Sequence, residues 1–327
     1  MLLSFIVVNY NTKDMTYRTL SFIEKSIENE NFEIVLVDNA STDGSKEFFE
    51  NLQNKNNNLK YIYSNENSGF GKANNIGVKN ASGDIVVLIN PDIEIYQKGF
   101  DKFIVENLKD NIGVLTPKII YGDGSIQANC GGFSTFSTYI FQVLKLGYLS
   151  RKYNLVSKIT KIINFFPFLN KTVIGKYVRN FQVCNEKQKS CDWISGACMI
   201  MKKDLFESID GFDENFFMYV EDEEICKRIR DKDHEIVVNS EFAIIHMEGG
   251  SQVKTSSILG KAQKERYKSS IYNFYKHKGV FLAYLLKYFF IFVQLISSIV
   301  FLLKLNLSSS IDRLKFTIEL YQYIFKK

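Results

Sequence analysis

The sequence has little of what would mark a secreted, disulfide-stapled or zinc-bound protein. Its five cysteines (Cys130, Cys184, Cys191, Cys198 and Cys226) are odd in number and contain no Cys-x-x-Cys pair. That excludes a disulfide framework and a zinc knot, and leaves reduced thiols of a cytoplasmic protein as the expectation. The start, MLLSFIVVNYN, lacks a basic n-region and its apolar stretch is short and strand-like, so no signal peptide is expected. A dinucleotide fingerprint is missing as well. Gly69 and Gly71 are followed at position 74 by Asn, and the element before them is not the first strand. No disordered composition is present, because 46% hydrophobic and 24% charged residues over 327 positions are ordinary globular usage, enough for one large domain or two modest ones.

The net charge of +5 hides an asymmetry. Residues 251–327 hold 13 Lys and Arg against 3 acidic residues, a net +10, whereas residues 1–250 hold 28 against 33, a net −5. The basic charge accompanies an apolar tail rather than a separate polar face, which argues against nucleic acid as a partner.

What is there is organised around Ile85 to Asp92, IVVLINPD. The run Ile85–Ile89 is apolar without alternation, as a central strand covered on both faces requires. Pro91 removes a ladder donor and extends Asn90, so the strand stops there and delivers Asp92 to a site. The same pattern recurs on either side. Leu2–Val8 is a strand ending in Asn9, Tyr10, Asn11 and Thr12, followed by a helix over 14–27. Ile34–Val37 is a second strand closing on Asp38 to Gly44, where Ser41 or Thr42 is placed to cap the next helix. Leu59–Tyr63 is a third, followed by Asn67, Ser68, Gly69, Phe70, Gly71, Lys72, Ala73 and Asn74, whose glycines allow close backbone approach and whose Lys72 stands where a helix begins and an anion could rest. Ile112–Leu115 adds a further strand. Strands alternating with helices imply an α/β fold with a parallel sheet, and ligands collect beyond the carboxyl ends of such strands.

The second half begins at Trp193, the only tryptophan, with Ser195, Gly196 and Ala197 as a small-residue turn before another strand. Gly211, Phe212, Asp213 and Glu214 form a turn. The aromatic run Phe216–Tyr219 then delivers four successive carboxylates, Glu221 to Glu224, to a helix start, where the dipole favours them. A carboxylate buried there would have a raised pKa suited to a general base. Strands over 236–238 and 242–245 end in His246, followed by Met247, Glu248, Gly249, Gly250 and Ser251. Paired with Asp92 across a crevice, His246 is a credible metal ligand. The aromatic, basic segment 134–183 gives no readable elements, and segments of this kind often contact the variable partner.

In order and spacing these motifs resemble the family 2 glycosyltransferases of the GT-A fold, most closely their rhamnosyltransferase-like branch. The resemblance covers about the first 250 positions. It rests on Val8–Asn11, Val37–Asp43, Asn67–Asn74, Asn90–Asp92, Trp193–Ala197, Gly211–Glu214 through Glu221–Asp222, and His246. It implies a Rossmann-like, mostly parallel central sheet flanked by helices, with a nucleotide-sugar half over 1–120, an acceptor and catalytic half over 121–250, and a helical membrane-associating region over 251–327. It also implies roles. Asn9, Asn11, Asp38, Asn67, Lys72, Asn74 and Asn90 would line the donor nucleotide site, Asp38 meeting the base or ribose. Asp92, last in the family's Asp-x-Asp, and His246 would hold Mg²⁺ or Mn²⁺; Asn90 replaces the first Asp, so anionic ligands are fewer. Asp222 matches the catalytic base, and Trp193, Gly196 and Glu221 the acceptor site. The implied reaction is inverting transfer from a nucleotide-diphospho-sugar, dTDP-rhamnose or a similar UDP- or dTDP-sugar, to a glycan acceptor that is commonly polyprenyl-linked.

Two other readings have less support. A sugar nucleotidyltransferase would carry a glycine-rich, basic loop after its first strand, where this chain has Asn9–Thr12. A non-catalytic membrane-bound scaffold would not need Asp92, Asp222 and His246 together. The tail from Val280 to Leu303 is long enough to span a bilayer, which needs about 20 apolar residues, but Lys287 interrupts it. Its aromatic density and flanking lysines suit an interfacial anchor on the cytoplasmic face of the inner membrane, with a clean span and a soluble helical hairpin as alternatives.

Overall fold

The computed structural model describes residues 1–29, 31–143, 187–247 and 260–324. Most of the segment 134–183 that the sequence left unread, and the residues Glu248–Ser251 after His246, lie outside the described residues.

The expected alternation is present. Strand β1 (Leu2–Asn9), helix α1 (Lys13–Ser26), β2 (Asn31–Asp38), α2 (Ser45–Gln53), β3 (Leu59–Tyr63), α3 (Phe70–Lys79) and β4 (Ile85–Ile89) follow one another. β1 pairs in parallel with both β2 and β4, and β2 with β3. β4 is buried at all five positions, which accounts for its unbroken apolar run. Then come the two-residue β5 (Ile93–Glu94), α4 (Phe100–Asn107), β6 (Ile112–Ile120), β7 (Cys130–Gly131) and α5 (Phe136–Val143). The second half adds β8 (Gln188–Cys191), β9 (Trp193–Ile194), β10 (Cys198–Lys202), α6 (Lys203–Ser208), α7 (Glu221–Arg230) and β11 (Glu235–His246).

Among the described residues, nine strands form one sheet along the path β3-β2-β1-β4-β10-β6-β11-β5, with β8 on β11, while β7 and β9 make a separate pair. β10 runs antiparallel between β4 and β6, so the two halves of the chain share one sheet rather than stacking as separate ones. Two apolar clusters cover its faces, one around Phe5, Phe100 and Leu115 and one around Ile6, Met199 and Phe212.

Three local expectations need correction. The segments at 236–238 and 242–245 are one strand, β11, whose register against β6 shifts between Asn239 and Ala243; a bulge there mimics a chain break in the hydrophobic pattern. Neither Ser41 nor Thr42 caps α2. Gly44, at φ +83°, precedes its first residue, while the Ser41 hydroxyl accepts from the Asn9 side chain at 2.9 Å and from the Asn11 amide at 2.9 Å. Lys287 does not interrupt the apolar tail, because its ammonium is buried and donates to the carbonyls of Tyr321 and Tyr323 at 2.8 and 2.9 Å.

That tail is α8 (Lys261–Lys278), α9 (Val280–Leu303) and α10 (Leu307–Gln322). Leu286, Phe290, Phe316 and Leu320 pack with Ile271 and Phe274 of α8 into a third cluster, to which Tyr139 of α5 contributes. Helix α8 is also tied to the sheet domain. Lys276 reaches Asp213 at 2.6 Å and Glu224 at 2.8 Å, His277 reaches Glu224 at 3.2 Å, and the Ser269 hydroxyl donates to the Met218 carbonyl at 2.9 Å.

Candidate active site

Asp92 and His246 meet because β11 pairs antiparallel with β5, placing His246 opposite Ile93. The His246 Nε2 lies 3.1 Å from Asp92 Oδ1, and the Met247 amide donates to the Asp92 carbonyl at 2.9 Å. The loop is held from beneath by Thr19, whose hydroxyl donates to the carbonyls of Pro91 at 2.8 Å and Ile93 at 2.9 Å.

Asp92 is only 3% exposed, and its Oδ1 has no hydrogen-bond donor among the described residues. On the other side of the imidazole, His246 Nδ1 is 2.9 Å from Gln127 Oε1, a contact that suits the neutral tautomer with its proton on Nδ1 and its Nε2 available to a cation. A buried carboxylate oxygen and an imidazole lone pair facing one another fit a divalent cation, with Gln127 as the partner that fixes the imidazole tautomer. Among the described residues no third His, Cys, Asp or Glu completes a cluster with them. A cation held there would take the rest of its shell from oxygens of a ligand.

Gly196 is where the other parts come together. Its amide donates to Asp222 Oδ2 at 3.1 Å, and the Asn90 amide donates to the Ala197 carbonyl at 3.0 Å, so one turn touches both the Asp222 carboxylate and the loop that carries Asp92. A Cβ on Gly196 would meet Phe70 at 3.2 Å and Asp222 at 3.6 Å. Trp193 donates from Nε1 to the Gly132 carbonyl at 3.0 Å and is partly exposed beside the same turn.

The aromatic run before α7 has a definite job. Phe216 is buried against Tyr272 of α8, with ring centroids 4.9 Å apart, and the Phe217 carbonyl accepts from the Phe70 amide at 2.9 Å. This contact demands glycine at 69, which stands at φ +88°, where a Cβ would come within 2.1 Å of the Phe217 oxygen. The chain then passes through Tyr219 and Val220 at φ +68° and +72° before the helix begins. A β-branched residue in the left-handed region is strained, and strain of this kind persists where surrounding contacts over-determine the backbone.

The four carboxylates of α7 have four different environments. Burial raises Asp222, although the amides of Gly196 and Glu223 donate to its two oxygens. Burial, then the neighbouring Asp222 charge, pushes Glu221 up to about 8, and its Oε2 lacks a hydrogen-bond partner among the described residues. Burial thus raises both members of the pair, but Asp222 has a donor on each oxygen, which favours its charged form, whereas Glu221 has one oxygen without a partner among the described residues. Burial lifts Glu223 to about 7 despite donation from the Ser134 amide and hydroxyl, each at 2.7 Å. Burial would raise Glu224 too, but His277, Arg228 and Lys276 outweigh it and hold Glu224 down at about 2.

The residues expected at the donor site lie at or just after the ends of β1, β2, β3 and β4 and in the first turns of α3. Asn9 and Asp38 end paired strands in register. Both are fully buried and internally engaged. Asn9 accepts from the Thr12 and Thr16 hydroxyls at 2.9 and 2.8 Å, and Asp38 accepts from the Ser41 amide at 2.8 Å and the Tyr61 hydroxyl at 2.9 Å. Asn11, at φ +54°, accepts from the Thr42 amide at 2.7 Å. Asn67 accepts from the Asn39 side chain at 3.0 Å, and Asn74 is spent on the Phe70 carbonyl at 2.9 Å. Lys72 is partly exposed, with Glu214 3.9 Å away. Asn90 is partly exposed too. The sequence reading missed Gln127, which carries no local signal, and Asn39, which ties the β2 loop to Ser68 and Gly69 and stands inside a motif already singled out.

Residues 4–141 match the profile of Glycosyl transferase family 2. The low-salt glycan biosynthesis hexosyltransferase Agl10 of Haloferax volcanii is 25% identical over 70% of this chain and 61% of its own. The N-acetylglucosaminyl-diphospho-decaprenol L-rhamnosyltransferase of Mycobacterium tuberculosis is 23% identical over 60% of each. The chain thus spans less than two thirds of these relatives' own length. Among solved structures, the mannosyltransferase PcManGT of Pyrobaculum calidifontis, in complex with GDP-Man and Mn²⁺, superposes with a TM-score of 0.51 at 17% identity, over 84% of this chain and 63% of that one. Residues 4–141 thus match a family 2 glycosyltransferase domain, the sheet is that of the GT-A fold, and the chain is similar to rhamnosyl- and hexosyltransferases of glycan biosynthesis.

Proposed function

We propose that the chain transfers a sugar, with inversion, from a nucleotide-diphospho-sugar such as dTDP-rhamnose or a similar UDP- or dTDP-sugar to a hydroxyl of a polyprenyl-linked glycan at the cytoplasmic face of the membrane. The observation that carries this reading is the pairing of Asp92 Oδ1 with His246 Nε2 at 3.1 Å beside the turn whose Gly196 amide holds Asp222.

Asp92 and His246 would hold Mg²⁺ or Mn²⁺, which supplies positive charge to a diphosphate leaving group. Gln127 keeps the His246 lone pair directed at that position. Asp222 takes the proton of the acceptor hydroxyl while the oxygen attacks the anomeric carbon on the face opposite the diphosphate, which gives inversion. Glu221 keeps its own proton, so only one negative charge stands next to the acceptor. Lys72 and Asn90, both partly exposed, are the donor-site residues free to meet phosphate or sugar; Asn9 and Asp38 act by holding the strand ends in place. The rhamnosyltransferase relative, named for a diphospho-decaprenol acceptor, supports the lipid-linked choice.

The test is transfer from dTDP-rhamnose and UDP-sugars to N-acetylglucosaminyl-diphospho-polyprenol, with Mn²⁺, by wild type and Asp222→Asn. Product of inverted anomeric configuration from wild type alone, with donor binding kept in the variant, supports the reading. Equal loss of donor affinity in Asp222→Asn would move that residue into the binding site.

A further inference from the structure

Helices α9 and α10 form a hairpin in which the polarity of α9 is inverted. Every exposed position of α9 carries an apolar or aromatic side chain. Its polar residues Lys287, Gln294 and Ser298 face inward instead, whereas α10 exposes Ser308, Lys315, Glu319 and Gln322 beside Ile311, Leu314 and Ile318. In the C-terminal half of α9, Gln294 accepts from Arg313 at 2.8 Å, and Ser298 donates to the Ser310 carbonyl at 3.0 Å, with the two serine hydroxyls 2.8 Å apart. Gln294, Ser298, Ser309 and Ser310 are buried there, while Leu303 is 79% and Leu305 91% exposed. Water selects the opposite arrangement, so the medium that suits this surface is hydrocarbon.

The exposed face is also graded. Phe281, Tyr284, Tyr288 and Phe292 run from the start of α9, just after the end of α8 that is fixed to Glu224, to its middle, and Leu, Ile and Val occupy the part towards the tip. Aromatic side chains favour the headgroup level and aliphatic ones the acyl chains. Lys304 at the tip sets a limit, since a charge is disfavoured at the bilayer centre and a lysine near the boundary can extend its ammonium to water.

We infer that α9 and α10 are a tip-first wedge in one leaflet of an acidic lipid bilayer, with both ends of the hairpin on the side of the catalytic domain and no crossing of the membrane. This rests on the membrane contact proposed above and specifies its geometry. The net +10 of residues 251–327 complements acidic headgroups. The polar links between the helices keep α10 folded back on α9. Helix α8, fixed to Glu224 by Lys276 and His277, holds the wedge at a set position relative to Asp222.

The test uses the full chain and needs no transfer activity. Wild type and Leu303→Ser/Leu305→Ser are floated with phosphatidylcholine vesicles with and without phosphatidylglycerol. In parallel, inverted inner-membrane vesicles from cells expressing a C-terminally tagged chain are treated with protease. The wedge predicts binding favoured by phosphatidylglycerol, a loss of tenfold or more in the double variant with an unchanged melting temperature, and a tag that is cleaved. A protected tag would mean a span and overturns the proposal. So would unchanged flotation of the double variant, or a stable lipid-free dimer that buries Leu303 and Leu305.

Discussion

Replacing Glu221 with Gln should stabilise the protein at alkaline pH and leave it nearly unchanged in acid. Glu221 is 5% exposed, one of its oxygens is unpartnered, and burial with the adjacent Asp222 raises it from 4.5 to about 8. Below about pH 4.5 the folded and unfolded states both carry the proton. Between about 4.5 and 8 the folded state keeps it while the unfolded state releases it, so stability falls as pH rises; above about 8 the loss is complete. At 1.36 kcal/mol per pH unit the ceiling is about 5 kcal/mol, and relaxation around a charge shared with Asp222 brings the expected gain to ~2 kcal/mol. Urea unfolding of both proteins from pH 5 to 9 measures the difference curve. Glu224, held at about 2, contributes stability that is lost only as pH falls below about 4.5, and it is common to both proteins, so it cancels. Parallel curves, with no widening of the gap towards pH 9, would refute the assignment of the buried proton to Glu221.

Asp92→Asn and His246→Ala should each lower transfer by two orders of magnitude or more and abolish the Mn²⁺ dependence of donor binding, read by calorimetry with and without EDTA. Gln127→Ala should weaken Mn²⁺ affinity 10- to 100-fold without touching the nucleotide pocket, because it frees the tautomer and orientation of His246. Gly69→Ala should destabilise by at least ~2 kcal/mol in urea, since its φ of +88° and the 2.1 Å approach to the Phe217 oxygen leave the methyl no room.

The strands and the convergence of their ends were legible because each apolar run stops at a polar cluster, and Asn9, Asp38 and Asp92 do stand at such stops. The antiparallel insertion of β10 between β4 and β6 was not legible, since hydrophobic pattern carries no strand direction. The bulge in β11 hid for the same kind of reason: one shifted register looks like two short strands. At the site, Asp92 with His246, and Asp222 with Gly196, could be expected from their motifs. Gln127 could not, because its partner is 119 residues away and nothing beside it in sequence marks it. Asn9 and Asp38 show the converse. Their positions were readable, but whether a buried polar side chain points at a ligand or at Thr16 and Tyr61 is decided by packing that sequence does not display. The inverted polarity of α9 depends likewise on which of its faces meets α10, and Lys287 reads as a break because its carbonyl partners lie 34 and 36 residues away in sequence.

The most direct test of the central claim is calorimetric titration of UDP-, GDP- and dTDP-sugars into the purified chain in Mn²⁺, in Mg²⁺ and in EDTA. The account predicts binding of one nucleotide family that requires the cation and disappears in His246→Ala. Binding of equal strength in EDTA, or binding that His246→Ala leaves intact, would contradict it.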